Sequence, residues 1–505
     1  MALRTDRTDE RDRPAPGRLA TAWALAGLTL VAAALRAFRL DLQSLWNDEL
    51  ASWHQAHWPT LAQVLERGVV PDVHPPGYFL LLHVWMRVAG ASEAALRAPS
   101  VVFGVLTVPA LFALGRSLYS RREALVAAAL ASVAWMPVYY SREARPYALL
   151  ILCAVLTTWL LVEAVRRLET EGRLDPRFAA GYLLAAAVAA YSHYFGLLLV
   201  GLQAVVAGLR LLGRPRALLR LTGCYALLAL AYVPWLPHLL EDLRVRSFWI
   251  KTPSPRALVE LYRFELGRWN LLALVVLALL ATALVRWIVE ERGTPVGTML
   301  RRALLSPTAL LVLWLAAPPL VAWVKSQVST PVFTLRNLAF TAPALYLLTA
   351  RAVTRLARRG TATVAVTAAL CVLLLADLGI RRRFWTRVTK EQWREAVARV
   401  RRDERFSDAP IFAATLDPAY FDYYLRRAPD EDPAPAVRLL VSGRDVTPFE
   451  RGLADSGATH FWFLQIHRKA APSLRRHLER HHRLLDEDDL VGAQVQLFAV
   501  GPDGG

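Results

Sequence analysis

Tyr147–Val165 reads YALLILCAVLTTWLLVEAV, an apolar run with a single charge, Glu163. Its length is close to the ~20 residues a helix needs to cross a bilayer. Residues 19–38, 123–140 and 303–324 are similar in length and in their scarcity of interior charge. A chain of 505 residues with 55% hydrophobic content could be several soluble domains or one membrane protein, and these runs decide for the membrane. Further spans are expected near 98–116, 178–192, 195–212, 218–238, 268–288, 338–356 and 362–380. The fold class read from this pattern is a polytopic α-helical membrane protein of about 11–13 crossing helices, with a small C-terminal α/β domain.

The charge of +18 would point to nucleic acid in a soluble protein. Here the arginines fall mostly in short connections between apolar runs, at 116–122, 166–167, 210–220, 286–302 and 351–359. All five loops come to one side when the N-terminus is cytoplasmic, as the Lys/Arg rule requires. Topology and anionic lipid then account for the charge, and no nucleic-acid partner is expected. Residues 1–18 read as a disordered cytoplasmic tail and 19–380 as the transmembrane domain, with a first outer loop at 40–99. Within that loop Gly77 to Ala89 is too short to span and is read as re-entrant or interfacial. Asp48 to His57 suits a short helix, with Trp46, Trp53 and Trp58 as headgroup-level anchors.

From residue 381 to 505 the composition turns soluble. Helical patterns at 390–401, 418–427, 448–454 and 472–483 alternate with strand-like runs at 410–415, 437–441, 460–465 and 491–500. That alternation predicts an α/β domain outside the membrane. It has no Gly-rich phosphate loop, so scaffolding or acceptor docking is its expected use. Cys153, Cys224 and Cys371 all sit in apolar runs, which excludes a disulfide framework. Asn47, Asn270 and Asn337 open no glycosylation sequon, which favours a bacterial cytoplasmic membrane.

The candidate chemistry lies in the outer segments. Asp48 and Glu49 follow the first span; such a pair serves equally as a solvated helix start or as a general base toward a hydroxyl. His74 stands before Pro75-Pro76-Gly77, a chain-turning device, and is suited to hydrogen-bonding a phosphate or sugar hydroxyl. Tyr140-Ser141-Arg142-Glu143-Ala144-Arg145-Pro146-Tyr147 places two guanidiniums within four residues, forked donors that match phosphate oxygens. His193 and Tyr194 end another span, and Arg336 is flanked by apolar residues, so it needs a carboxylate, a phosphate or the interface. These cations, with Arg36 and Arg39, occupy the side the Lys/Arg rule normally depletes. Their clustering suggests an anion held there. No Cys/His metal spacing, Ser-His-Asp order or Walker loop appears.

Ser44-Leu45-Trp46-Asn47-Asp48-Glu49, then His74-Pro75-Pro76, Leu96 to Gly104, Tyr140 to Tyr147 and Tyr191 to Gly196 together resemble the family 39 type of bacterial glycosyltransferase. The set is similar to the dolichyl-phosphate-mannose–protein mannosyltransferase and aminoarabinose-transferase group, which has the GT-C membrane fold. The likeness is fullest over the first 200 residues or so. Farther on, Arg336-Asn337 stands where family members often have Arg-Tyr. The resemblance implies sugar transfer, hexosyl or pentosyl, from a polyprenyl-phosphate donor to a cell-envelope glycan, lipid or protein on the outer membrane face, with inversion. It makes Asp48 the base with Glu49 beside it. His74, Arg142, Glu143, Arg145, Tyr147, His193, Tyr194 and Arg336 become the positions for donor phosphate and substrate. A divalent cation stays open, because some GT-C enzymes use one and others do not. Two other classes compete: a lipid-linked glycan polymerase or ligase, which would use similar arginines, and a lipid or sugar transporter. The latter should show mid-span charges and an internal repeat.

Overall fold

The computed structural model describes residues 16–501, apart from 246–248, 268, 293, 296–297, 300–305, 358, 407, 426–436 and 440–445. Most of the tail expected at 1–18 lies outside the described residues, and Pro16 already opens the first helix. In chain order the helices are α1 (Pro16–Ala37), α2 (Asn47–Ala56), α3 (Gly77–Ala89), α4 (Glu93–Leu118), α5 (Arg121–Val133), α6 (Trp135–Tyr140), α7 (Tyr147–Thr170), α8 (Pro176–Ser192), α9 (Tyr194–Leu211), α10 (Pro215–Tyr232) and α11 (Leu236–Asp242). They continue with α12 (Arg256–Glu265), α13 (Asn270–Glu290), α14 (Pro307–Val328), α15 (Ala342–Leu356), α16 (Gly360–Ala376), α17 (Trp393–Arg402), α18 (Phe421–Leu425), α19 (Thr447–Ser456) and α20 (Pro472–His481).

Among the described residues eight helices are long and apolar enough to cross a membrane. The protein is a multi-pass membrane protein. The remaining three expected spans are the shorter helices α5, α8 and α15, of 13, 17 and 15 residues. For α5 the cause is visible. Residues 123–140 were expected as one span, but the backbone turns extended at Ala134 (ψ 140°) and restarts as α6. Pro137 has no N–H to give Val133, so the helix cannot run through unbroken.

Contacts divide the chain into two compact units. One holds the residues up to Phe38, Leu65–Trp85 and Arg97–Phe384; the other holds Arg39–Val64, Met86–Leu96 and the residues from Trp385 onward. In the first unit the short basic loops carry their own helix starts. Ser120, Asp175 and Ser306 each accept a backbone N–H of the helix that follows, and Pro176 and Pro307 sit at first helical positions. Lipid offers helices little hydrophobic reason to associate, so packing and buried polar bonds hold them. Ser117 donates to Glu163 at 2.6 Å, and Gln203 donates to Thr157 and Thr158 at 2.9 and 3.0 Å.

The break at Ala134 organises one end of this unit. It leaves the carbonyls of Ala131 and Ser132 without their usual helical donors, and the fully buried Arg36 supplies them at 3.1 and 3.0 Å. Arg36 Nε also donates to Ser141 Oγ at 3.1 Å. Gly104 makes room for this: a Cβ there would run into Ser141 Oγ and lie 2.8 Å from Ser141 Cβ. Arg36, read from sequence as one of the stray cations around an anion, is instead directed onto backbone carbonyls.

The second unit is α/β. Its sheet runs β2 (Val437–Leu439), β1 (Ile411–Ala414), β3 (His460–Ile466), β5 (Ala493–Val500), β4 (His482–Leu490). β1 pairs parallel with β2 and β3, while β5 is antiparallel to both β3 and β4. Phe412, Phe461, Phe463 and Phe498 pack on one face with Phe449 of α19 and Leu474 and Leu478 of α20. Strand β4 was not expected, and the helix predicted to 483 ends at His481. The strand is almost wholly exposed and acidic, so it lacks the in–out alternation that marks a half-buried strand. Arg399 of α17 holds it through Asp488, at 2.6 Å, and Asp486.

Candidate active site

The expected site residues fall in both units, and each group is described within its own. In the first unit the His74 loop, the turn between α6 and α7, and the α8–α9 junction bring side chains together. Two glycines allow these approaches. A Cβ on Gly77 would stand 2.7 Å from the carbonyl of Tyr191, and one on Gly196 would collide with the carbonyl of Ala189.

His74 is held from both ring nitrogens. Nδ1 lies 3.1 Å from Asp72 Oδ2, and Nε2 lies 3.2 Å from Arg145 Nη2. A guanidinium only donates, so Nε2 is the acceptor and Nδ1 carries the hydrogen toward Asp72. Asp72 Oδ1 in turn accepts from the Val73 N–H at 2.7 Å. Burial alone would push the Asp72 carboxyl up. The opposing pull of His74, the Val73 N–H and Arg145 outweighs it and holds the group well below the usual carboxylate range.

Arg145 is buried, with its guanidinium 5.8 Å from the centroid of Tyr147 and its carbonyl accepting from Ser100 at 3.3 Å. Tyr147 opens α7 and packs 6.0 Å from the ring of His193. His193 caps α9 by accepting the Phe195 N–H at 3.2 Å. Burial first, then the nearby His74 and Arg145, hold it down at about 3, so its ring is neutral at physiological pH; Asn337 hydrogen-bonds it and Arg336 is within electrostatic reach. Arg336 also lies 4.9 Å over the ring of Trp249. Tyr194 donates to Asp242 and accepts from Trp235 Nε1 at 3.3 Å. This unit therefore gathers His74, Arg145, Tyr147, His193 and Arg336, of which Arg145, Tyr147 and His193 are buried and His74 and Arg336 half-buried, with Asp72 and Asp242 within electrostatic reach of His74.

Arg142 and Glu143 belong to the same turn. Arg142 Nη1 donates to the carbonyls of Arg36 and Phe38 at 2.9 and 2.6 Å, closing the end of α1, and its guanidinium faces Phe384 at 5.4 Å. Glu143 is buried, its carbonyl accepting from the Arg145 N–H at 2.8 Å.

In the second unit Asp48 and Glu49 start α2 as expected but have different environments. Glu49 is fully buried and paired with Lys390 Nζ at 3.1 Å. Asp48 is only partly buried. Trp46 lies under the Lys390 ammonium and Trp53 stacks on His57 at 4.6 Å, so two of the three rings expected as headgroup anchors make contacts inside the unit. Of these two acids, Asp48 is the one with access to solvent.

The sequence does not single out Asp72, Asp242, Lys390 or Glu391, and marks Asn337 only as a departure from the family's Arg-Tyr. Asp72 had a local signal, since Asp and His two residues apart can meet across a turn. Lys390 had none, being 341 positions from its partner. Among the described residues no three or more metal-ligating side chains gather into a cluster.

The family described as dolichyl-phosphate-mannose-protein mannosyltransferase matches residues 73–240. None of the curated proteins matches in sequence. Among solved structures, ArnT from Cupriavidus metallidurans in the apo state is similar at TM-score 0.63 and 14% identity, over 95% of this chain and 98% of that one. The same protein bound to undecaprenyl phosphate gives 0.59 and 12%, over 96% and 98%. The oligosaccharyltransferase AglB from Archaeoglobus fulgidus, in complex with an inhibitory peptide and a dolichol-phosphate, gives 0.54 and 11%, over 96% and 75%. At these identities the likeness establishes the fold, which is GT-C.

Proposed function

We infer that this GT-C chain, whose residues 73–240 match the mannosyltransferase family, is a membrane glycosyltransferase that takes its sugar from a polyprenyl-phosphate-linked donor. The acceptor is a hydroxyl on a cell-envelope glycan, lipid or protein. The active face is the outer side of a bacterial cytoplasmic membrane, with the N-terminus inside and the α/β part outside. Support comes from the basic loops on one side and from similar structures that hold undecaprenyl phosphate and dolichol-phosphate.

The observation that carries the reading is the pair of guanidiniums near His193, the buried Arg145 and the half-buried Arg336, with His74 hydrogen-bonded to Arg145. A lipid phosphate leaves readily only if its charge is met, and a low-dielectric pocket strengthens every such contact. In the reaction the acceptor oxygen attacks the anomeric carbon as the bond from that carbon to the phosphate oxygen breaks. The acceptor proton goes to the Asp48 carboxylate, and polyprenyl phosphate leaves as the anion. Attack from the face opposite the leaving group inverts the anomeric configuration. Glu49, sealed against Lys390, holds the start of α2 and takes no proton in this scheme.

The test is purified full-length protein incubated with a panel of polyprenyl-phosphate sugars and candidate acceptors, reading free polyprenyl phosphate by mass spectrometry. Release with at least one donor is expected, together with its loss in Asp48→Asn. Turnover that survives Asp48→Asn removes this residue as the base; no release with any donor removes the reaction itself.

A further inference from the structure

Helix α2 begins without a cap of its own. Trp46, at the capping position, makes no side-chain bond to the first turn, although that turn exposes N–H groups that need acceptors. The acceptor comes from far along the chain. Glu391 Oε2 takes the Asn47 N–H at 2.9 Å, and the Glu391 carbonyl takes the Ser44 hydroxyl at 2.8 Å. A carboxylate there also complements the positive end of the helix. Its neighbours act on the same stretch: Gln43 Oε1 accepts from the Thr389 and Lys390 N–H groups at 2.9 and 2.8 Å, and Lys390 holds Glu49.

Glu391 is itself fixed. Its Oε1 lies 2.5 Å from His467 Nδ1, so both carboxylate oxygens are engaged and the group cannot rotate away. His467 sits just after β3 with a left-handed backbone, φ 66°, an uncommon conformation for a residue other than glycine. Gly492, also left-handed, leaves space for the Glu391 stem: a Cβ there would come within 2.8 Å of Glu391 Cγ. The bond to Glu391 raises the His467 imidazole above its ordinary value, which favours the charged form of the pair.

We propose that Glu391, locked by His467, is the positioning residue that sets the direction of Asp48, so that the α/β part of the chain helps build the base rather than merely accompanying it. The inference rests on Asp48 being the base. Asp48 follows Asn47 directly, and moving the helix start swings its carboxylate. A misplacement of about 1 Å at a reacting group costs on the order of a hundredfold in rate.

Full-length Glu391→Ala, Glu391→Gln and His467→Gln are compared with the parent for kcat and for KM toward the polyprenyl-phosphate sugar, and for backbone amide exchange over residues 44–52. Glu391→Ala should lower kcat roughly tenfold to a hundredfold with donor KM unchanged, and should speed exchange at the start of α2. Glu391→Gln, which still offers an oxygen to the Asn47 N–H, should recover part of both. If Glu391→Ala does not fold, the same loss of kcat and faster exchange are read from His467→Gln. Exchange at parent rates, or faster exchange with full kcat, overturns the proposal. Asp48→Asn separates the two layers: if that variant is active while Glu391→Ala still loosens the helix, the base assignment has failed and the anchor stands.

Discussion

Asp72→Asn separates tautomer control from charge. Removing an anion beside Arg145 should, on Coulomb's law alone, favour a bound phosphate. The contacts of His74 predict the opposite. The Val73 N–H holds one Asp72 oxygen at 2.7 Å, so an asparagine keeps its oxygen there and turns its NH2 toward His74 Nδ1. The ring then moves its hydrogen to Nε2, which faces the Arg145 guanidinium at 3.2 Å, and two donors oppose each other. A buried donor left facing a donor costs about 1–3 kcal/mol, roughly fivefold to a hundredfold in affinity. Asp72→Ala removes the same charge but leaves the ring free to keep Nε2 as acceptor, so it should weaken binding far less. The assay is equilibrium binding of polyprenyl phosphate to the full-length protein, with donor KM alongside. His74→Gln offers an amide oxygen to Arg145 without needing Asp72, and in that background Asp72→Asn should lose its effect. Equal affinities for the Asn and Ala variants, or an undiminished effect in the His74→Gln background, would refute the reasoning.

Two further perturbations address stability. Gly104→Ala should drive Ser141 off and break its bond from Arg36, costing about 1–3 kcal/mol of overpacking; a lower melting temperature of the solubilised protein checks it, with partial recovery on adding Ser141→Gly. Glu265, fully buried on α12 with Oε1 accepting from Thr341 at 2.6 Å, is pushed by burial up to about 8. The folded chain then binds more protons than the unfolded one between its ordinary value of 4.5 and about 8, so this group's contribution to stability is full below that window and is lost as pH rises through it. Glu265→Gln should flatten that limb in melts from acidic to mildly alkaline buffer, and an unchanged pH slope would remove Glu265 as its source.

Much of the membrane part was legible because lipid imposes a length and a polarity on each span, and α7 follows its apolar run closely. The α2 helix was equally visible from local residues. What escaped were partnerships set by the fold. Asp48 and Glu49 are adjacent and chemically alike, yet one is sealed by Lys390, and nothing near either residue foretells it. Strand β4 escaped for another reason: a strand exposed along most of its length writes no periodicity into the sequence.

The arginines expose a sharper lesson. An arginine on the side that membrane proteins usually leave poor in basic residues suggests an anion held there. Arg36 and Arg142 show another use, because a broken or ending helix supplies a rival acceptor. Its orphan carbonyls carry the negative end of the helix dipole, and a guanidinium that meets several of them recovers part of the cost of its burial. Pro137 could have signalled this: a proline within a run long enough to span breaks the ladder beside it, and the nearest arginines are the side chains long enough to repair it. Arg36 reaches the end of α5 in this way, and Arg142 the end of α1. An outer-face arginine is therefore evidence for a phosphate only after the carbonyls of nearby helix breaks have been accounted for.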